Sequence, residues 1–133
     1  MSVRLLLPLP PAGLRRNHAA HWRTQKGLKD DYSLAVLAAV TQQMKAWQTR
    51  PDRLDVTLDW RQVGQGDTDN CLAGAKVVLD ILGCAPATNV GQDRYYVGLY
   101  ESDSQIEEIT VRRTQVKHKT DEGVLVTILK GEA

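Results

Sequence analysis

A chain of 133 residues, 42% apolar and 25% charged with a formal net charge of +1, has the size and composition of one ordinary globular domain with a real core. No apolar run approaches the ~20 residues of a helical membrane span, and the run in MSVRLLLPLPP is too short for a signal-peptide core; the expectation is a cytoplasmic protein with no membrane association. Cys71 and Cys84, with His18, His21 and His118, fit no zinc spacing, so both thiols are expected to stay reduced.

Net charge excludes a strong global field, but its distribution is uneven. Residues 1–66 carry ten Lys and Arg against five Asp and Glu, and residues 67–133 carry seven against eleven. A basic front and an acidic back suit a protein that grips phosphates with one part and cations with another. Chance clustering on solvated faces gives the same counts.

In chain order, residues 3–7 (VRLLL) read as a short strand, stopped by Pro8, Pro10 and Pro11. The stretch AGLRRNHAAHWR is a basic arm or loop. From Thr24, a candidate cap, Leu28, Tyr32, Ala35, Val36, Ala39, Val40 and Met44 recur at helical steps and predict a long helix over about 25–48, with Pro51 as its far limit. Residues 54–60 (LDVTLDW) alternate strictly, which predicts a half-buried strand carrying Leu54, Val56, Leu58 and Trp60 on its inner face. Gly64 and Gly66 end it.

A second helix is expected from about Asp69 or Asn70 to Leu82, with Gly83 as its stop, Leu72, Val78, Leu79 and Leu82 facing the core. Residues 84–94 form a loop, and 95–100 are ambiguous. Residues 106–117 and 123–129 predict two strands joined as a hairpin by HKTDEG. The order β-α-β-α-β-β defines one α+β domain over residues 1–133, with two main helices on a mixed sheet.

The run GDTDNCLAGAKVVLDIL, residues 66–82, is where chemistry concentrates. It is no calcium loop, since Leu72 and Val78 stand where Gly and Glu are needed, and no phosphate loop. At ~3.6 residues per turn, Asp69, Ala73, Lys76 and Asp80 fall within about 40° of one line. This stripe begins with carboxylates and carries a lysine two turns on. Each residue has a plain structural use as well: Asp67 in a turn, Asp69 or Asn70 as helix cap, Lys76 and Asp80 as a surface pair. Against that stands Asp93, in a loop after the helix. Three carboxylates from separate segments, Asp67, Asp69 and Asp93, repel unless a divalent cation lies between them.

Together, DTDNCLAGAKVVLDIL and GQDRYYV resemble the D-x-D-N, K-x-x-x-D-x-L and D-D signatures of the RusA-type Holliday-junction resolvases, a family common in phages and prophages. LPLPPAGLRRNHAAHW is similar to that family's LPxPP…N opening, and the resemblance covers most of the chain. It implies a homodimeric endonuclease of recombination and repair that takes Mg²⁺, with Mn²⁺ as a substitute, and acts on branched DNA, the four-way junction. By motif, Asp67, Asp69 and Asp93 would hold the metal and Lys76 would join them in catalysis. Asn70, Asp80 and Gln92 would support them, Gln92 standing where the family usually has a first aspartate. Arg15, Arg16, Arg23, Lys26 and Arg61, with His18 and His21 nearby, are the candidates for holding DNA. The alternatives are a non-catalytic DNA-binding or assembly protein on the same fold, and a nuclease for other branched DNA.

Overall fold

In the computed structural model, residues 2–11, 22–44, 53–64, 68–84, 96–100 and 103–130 are described, with the backbone alone for residues 2, 22–25, 68–70, 103 and 130. The chain runs β1 (Ser2–Leu7), α1 (Trp22–Gln43), β2 (Leu54–Val63), α2 (Thr68–Leu82), β3 (Ile106–Val116) and β4 (Gly123–Lys130), with short 3₁₀ turns at Asp103–Gln105 and Lys119–Asp121. This is the α+β arrangement and element order that the sequence predicts.

Alternation decides which side of the sheet is covered. Leu54, Val56, Leu58 and Trp60 of β2 are all buried, as are Val124, Val126 and Ile128 of β4 and Leu5 and Leu7 of β1. Tyr32, Val36 and Val40 of α1 and Cys71, Ala75, Val78, Ile81 and Leu82 of α2 close the same core. Each such side chain contributes about 1.5–3 kcal/mol by leaving water. The residues between them on β2 are half-buried, and the sheet's other face leaves Leu6 and Leu129 exposed.

The strands lie in the order β1-β4-β2-β3. β2 pairs parallel with β3 and antiparallel with β4, and β4 pairs antiparallel with β1. The expected hairpin between residues 106–117 and 123–129 is therefore not formed: both strands exist, but β2 lies between them. The reason is burial. β4 hides an apolar row and has partners on both sides, whereas β3 alternates little and exposes charge, which suits an edge. The turn Lys119–Asp121 carries the chain across the end of β2, where the Glu122 carboxylate accepts the Val63 N–H at 2.9 Å.

Three local expectations are corrected. α1 starts at Trp22, so Thr24 lies inside the helix rather than capping it; no Gly or Pro interrupts residues 22–24. Its predicted end at residue 48 lies outside the described residues. In α2 the inward arc is centred on Cys71, Ala75, Val78 and Leu82, and Leu72, 100° further round, is 51% exposed. Finally, Leu79 is only partly buried.

Two side chains of α1 hold the first strand. The Tyr32 hydroxyl donates to the Pro8 carbonyl at 2.6 Å, and burial pushes its phenol well above the ordinary range. The Gln43 amide meets Leu6 as a paired strand would: Oε1 accepts the Leu6 N–H at 2.7 Å and Nε2 donates to the Leu6 carbonyl at 2.8 Å. The outward backbone groups of an edge strand are thus satisfied at that residue.

Residues 96–100, ambiguous in the sequence, cap the far end of α2. Val97 and Leu99 N–H donate to the Ile81 and Leu82 carbonyls at 2.8 Å, and Gly98 N–H to Gly83 at 2.9 Å. These are carbonyls that a helix end leaves unpaired. The Tyr100 hydroxyl donates to the Leu79 carbonyl, and its ring closes on Gly83, where an added Cβ would come within 2.7 Å of Cε2. Gly83 thus serves by close approach, not by a left-handed backbone. Gly83→Ala should cost about 1–3 kcal/mol, the price of overpacking, read as a lower urea midpoint with unchanged m.

Candidate functional site

The central motif sits where β2 hands over to α2. Gly64, at a φ of +78°, turns the chain out of the sheet in a conformation few side chains tolerate. α2 opens at Thr68, so Asp69 and Asn70 lie within its first turn and not at its cap. Carboxylates there are favoured by the positive end of the helix dipole. Asp67, Gln92 and Asp93 lie outside the described residues.

Further along α2, Lys76 is exposed, Ala73 and Asp80 are half-buried, and Gly74 is buried. The predicted stripe of Ala73, Lys76 and Asp80 is therefore on the outer side of α2. Lys76 has no carboxylate within 4.0 Å among the described residues, leaving its ammonium available to an anion.

The basic candidates divide. Arg15 and Arg16, like His18 and His21, lie outside the described residues, and Arg23 is described by backbone alone, in the first turn of α1. Lys26 is exposed on the same helix. Arg61 is on β2, with Nε 4.0 Å from the Asp59 carboxylate and, though shielded from solvent, without a hydrogen-bond partner. Asp59 is in turn held by the Thr114 hydroxyl, 2.7 Å away on β3.

Among the described residues no three His, Cys, Asp or Glu side chains gather as a metal site, and neither cysteine forms a disulfide. The donor chemistry of Asp67, Asp69 and Asp93 still fits a hard cation. Their spacing is the telling quantity. Asp69 and Ile81 are twelve residues apart in one helix, about 18 Å at ~1.5 Å per residue. Val97 is bonded to Ile81, and the four residues from Asp93 to Val97 span at most ~14 Å. With the reach of two aspartate side chains and a shared cation added, a connection running back along the helix can bring Asp93 of the same chain to Asp69 without full extension.

The motif reading takes Asp93 alone from the connection between α2 and β3. That connection also carries Glu101 and Asp103, and Asp103 opens the 3₁₀ turn that delivers the chain into β3.

No helix among the described residues is long and apolar enough to cross a membrane. No protein-family model matches the chain, and no curated protein matches it.

Proposed function

We propose that the chain is a Mg²⁺-dependent endodeoxyribonuclease that resolves four-way DNA junctions by phosphodiester hydrolysis, a cytoplasmic homodimer serving recombination and repair. The observation that carries this reading is the Asp-Thr-Asp-Asn run, which leads into the first turn of a helix that exposes a lysine two turns on. Asp67, Asp69 and Asp93 are the residues that would hold the cation. Mg²⁺ bound there supplies a water of lowered pKa and neutralises charge on the reacting phosphate.

The chain's own groups do the rest. Lys76 offers a point charge to the scissile phosphate or the leaving oxygen. The N–H groups opening α2 face the same anion, and Asn70, Asp80 and Gln92 orient groups around it. Arg15, Arg16, Arg23, Lys26 and Arg61 hold phosphates of the DNA arms, so shape and charge rather than base identity govern affinity.

The test is cleavage of a synthetic four-way junction beside a linear duplex, with and without Mg²⁺. Metal-dependent cutting of the junction alone is the expected result. Binding without cutting under any divalent ion replaces the proposal with a non-catalytic DNA-binding protein. Equal cutting of flaps and junctions widens the substrate to branched DNA in general.

A further inference from the structure

β3 is the one strand of the described sheet with a partner on a single side and nothing laid against its other edge: β2 pairs with it, and no described strand or side-chain clamp covers the far side. Its charges are sorted by position. Glu107 and Glu108 stand in its first half and Arg112 and Arg113 in its second, all four exposed, with Ile109 half-exposed between them. Glu107 has only a loose, solvent-exposed pairing with Arg53 at 3.4 Å. Neither arginine has a carboxylate within 4.0 Å among the described residues.

Charge on an edge strand ordinarily keeps other strands away. That duty needs no particular order of signs. The order found here is the one that lets the strand pair with a reversed copy of itself.

We infer that two copies of the chain join edge to edge through β3, antiparallel about a two-fold axis at Thr110, into one continuous eight-stranded sheet. Parity narrows the register. Opposed residues in a sheet point to the same face, so an axis perpendicular to the sheet must pass through a residue, not between two. Centring on Thr110 sets Glu108 against Arg112 and Ile109 against Val111 of the other copy, in both directions. Glu107 is the extra residue of the bulge by which β3 adjusts to β2, and takes no place in the register. Thr110 faces itself, a favourable cross-strand pair. Centring on Glu108 or on Arg112 opposes like charges, and centring on Ile109 or on Val111 leaves every charge unmatched. Main-chain bonds supply the affinity in such strand addition and side chains supply the register; an isologous two-fold contact closes on itself.

The interface also bears on the site, and this consequence rests on the nuclease reading. Past the bulge at Glu107, Ile106 of one copy comes to Arg113 of the other, the residue on its own face of the sheet. Arg113 pairs with Trp60, three residues before β2 ends and the chain turns into α2. The acidic connection of one copy is thereby led toward the aspartates that open α2 in its partner.

The full-length chain tests this directly. In a Cys84→Ser background, Thr110→Cys should form a disulfide-linked dimer on mild oxidation, since Cβ atoms of opposed residues lie about 4.5–5.5 Å apart; Arg4→Cys, exposed on β1 at the sheet's other edge, should not. Glu108→Arg sets arginine against arginine twice and should weaken self-association by at least roughly tenfold in sedimentation equilibrium. Glu108→Arg combined with Arg112→Glu restores opposite signs and should recover the dimer. No Thr110 crosslink, or a dimer indifferent to Glu108→Arg, overturns the interface, whether or not the protein cuts DNA. A register-specific dimer that never cuts junctions supports the interface and removes the nuclease reading instead.

Discussion

Asp69→Asn leaves the protein folded and removes its junction cleavage. Asn is the same size as Asp and caps and tolerates a helix start equally well. What it lacks is charge, and the lost attraction to the helix dipole costs only about 0.3–1 kcal/mol at an exposed site. If Asp69 serves only the helix, the variant is therefore nearly silent in every measurement. If it binds the cation, one charged oxygen ligand disappears from a site that depends on charge, and cleavage falls by about 10²–10³ or more, as when a preorganised electrostatic contact is lost elsewhere. Thermal unfolding and single-turnover cleavage at saturating Mg²⁺ separate the two. A variant that cuts at the normal rate ends the metal assignment for Asp69.

Mixing two dead variants restores cutting. The basis is the proposed β3 interface, which leads the acidic connection of one copy toward the start of α2 in the other. If the second copy supplies Asp93, a dimer of one Asp69→Asn chain and one Asp93→Asn chain has one site with both defects and one with none. Half the dimers in an equal mixture are of this kind, so nicking should return to roughly a quarter of the native rate for a two-site dimer. If each chain completes its own site, every site in every mixture is defective and no activity returns. Full activity in Asp93→Asn alone, with loss in Asp103→Asn, would transfer the third carboxylate to Asp103.

How much of this was legible in the sequence follows from the range of the forces involved. The inner row of β2 was readable because alternation reports burial residue by residue, and Leu54 through Trp60 are buried as predicted. The predicted hairpin failed because a short polar turn says that two strands are joined, not that they pair. The partner of β3 was set by β2, more than forty residues earlier, and no local pattern encodes that. Leu72 was expected inside because hydrophobicity favours leucine there, while helical phase, fixed by Ala75, Val78 and Leu82, put the thiol of Cys71 there and Leu72 outside. Gly83 was recognised as a stop, but its cause, the ring of Tyr100, lies seventeen residues away. The candidate site shows the same division. The acidic run and Lys76 were visible as a motif on one helix, whereas the separation between that helix's start and the anchor of Asp93 became measurable only with the helix end capped by residues 96–100.

Gln43 sets a limit on growth. A sheet with two free edges can add copies without end, and one with none cannot add any. Here the amide of Gln43 occupies the backbone groups of Leu6 on the outer side of β1, so the sheet's outer edge is already paired at that residue. Joined through β3, two chains would present a β1 obstructed at Leu6 at each end of the ribbon. A third copy adding there would have to displace a glutamine far from both the contact and the chemistry.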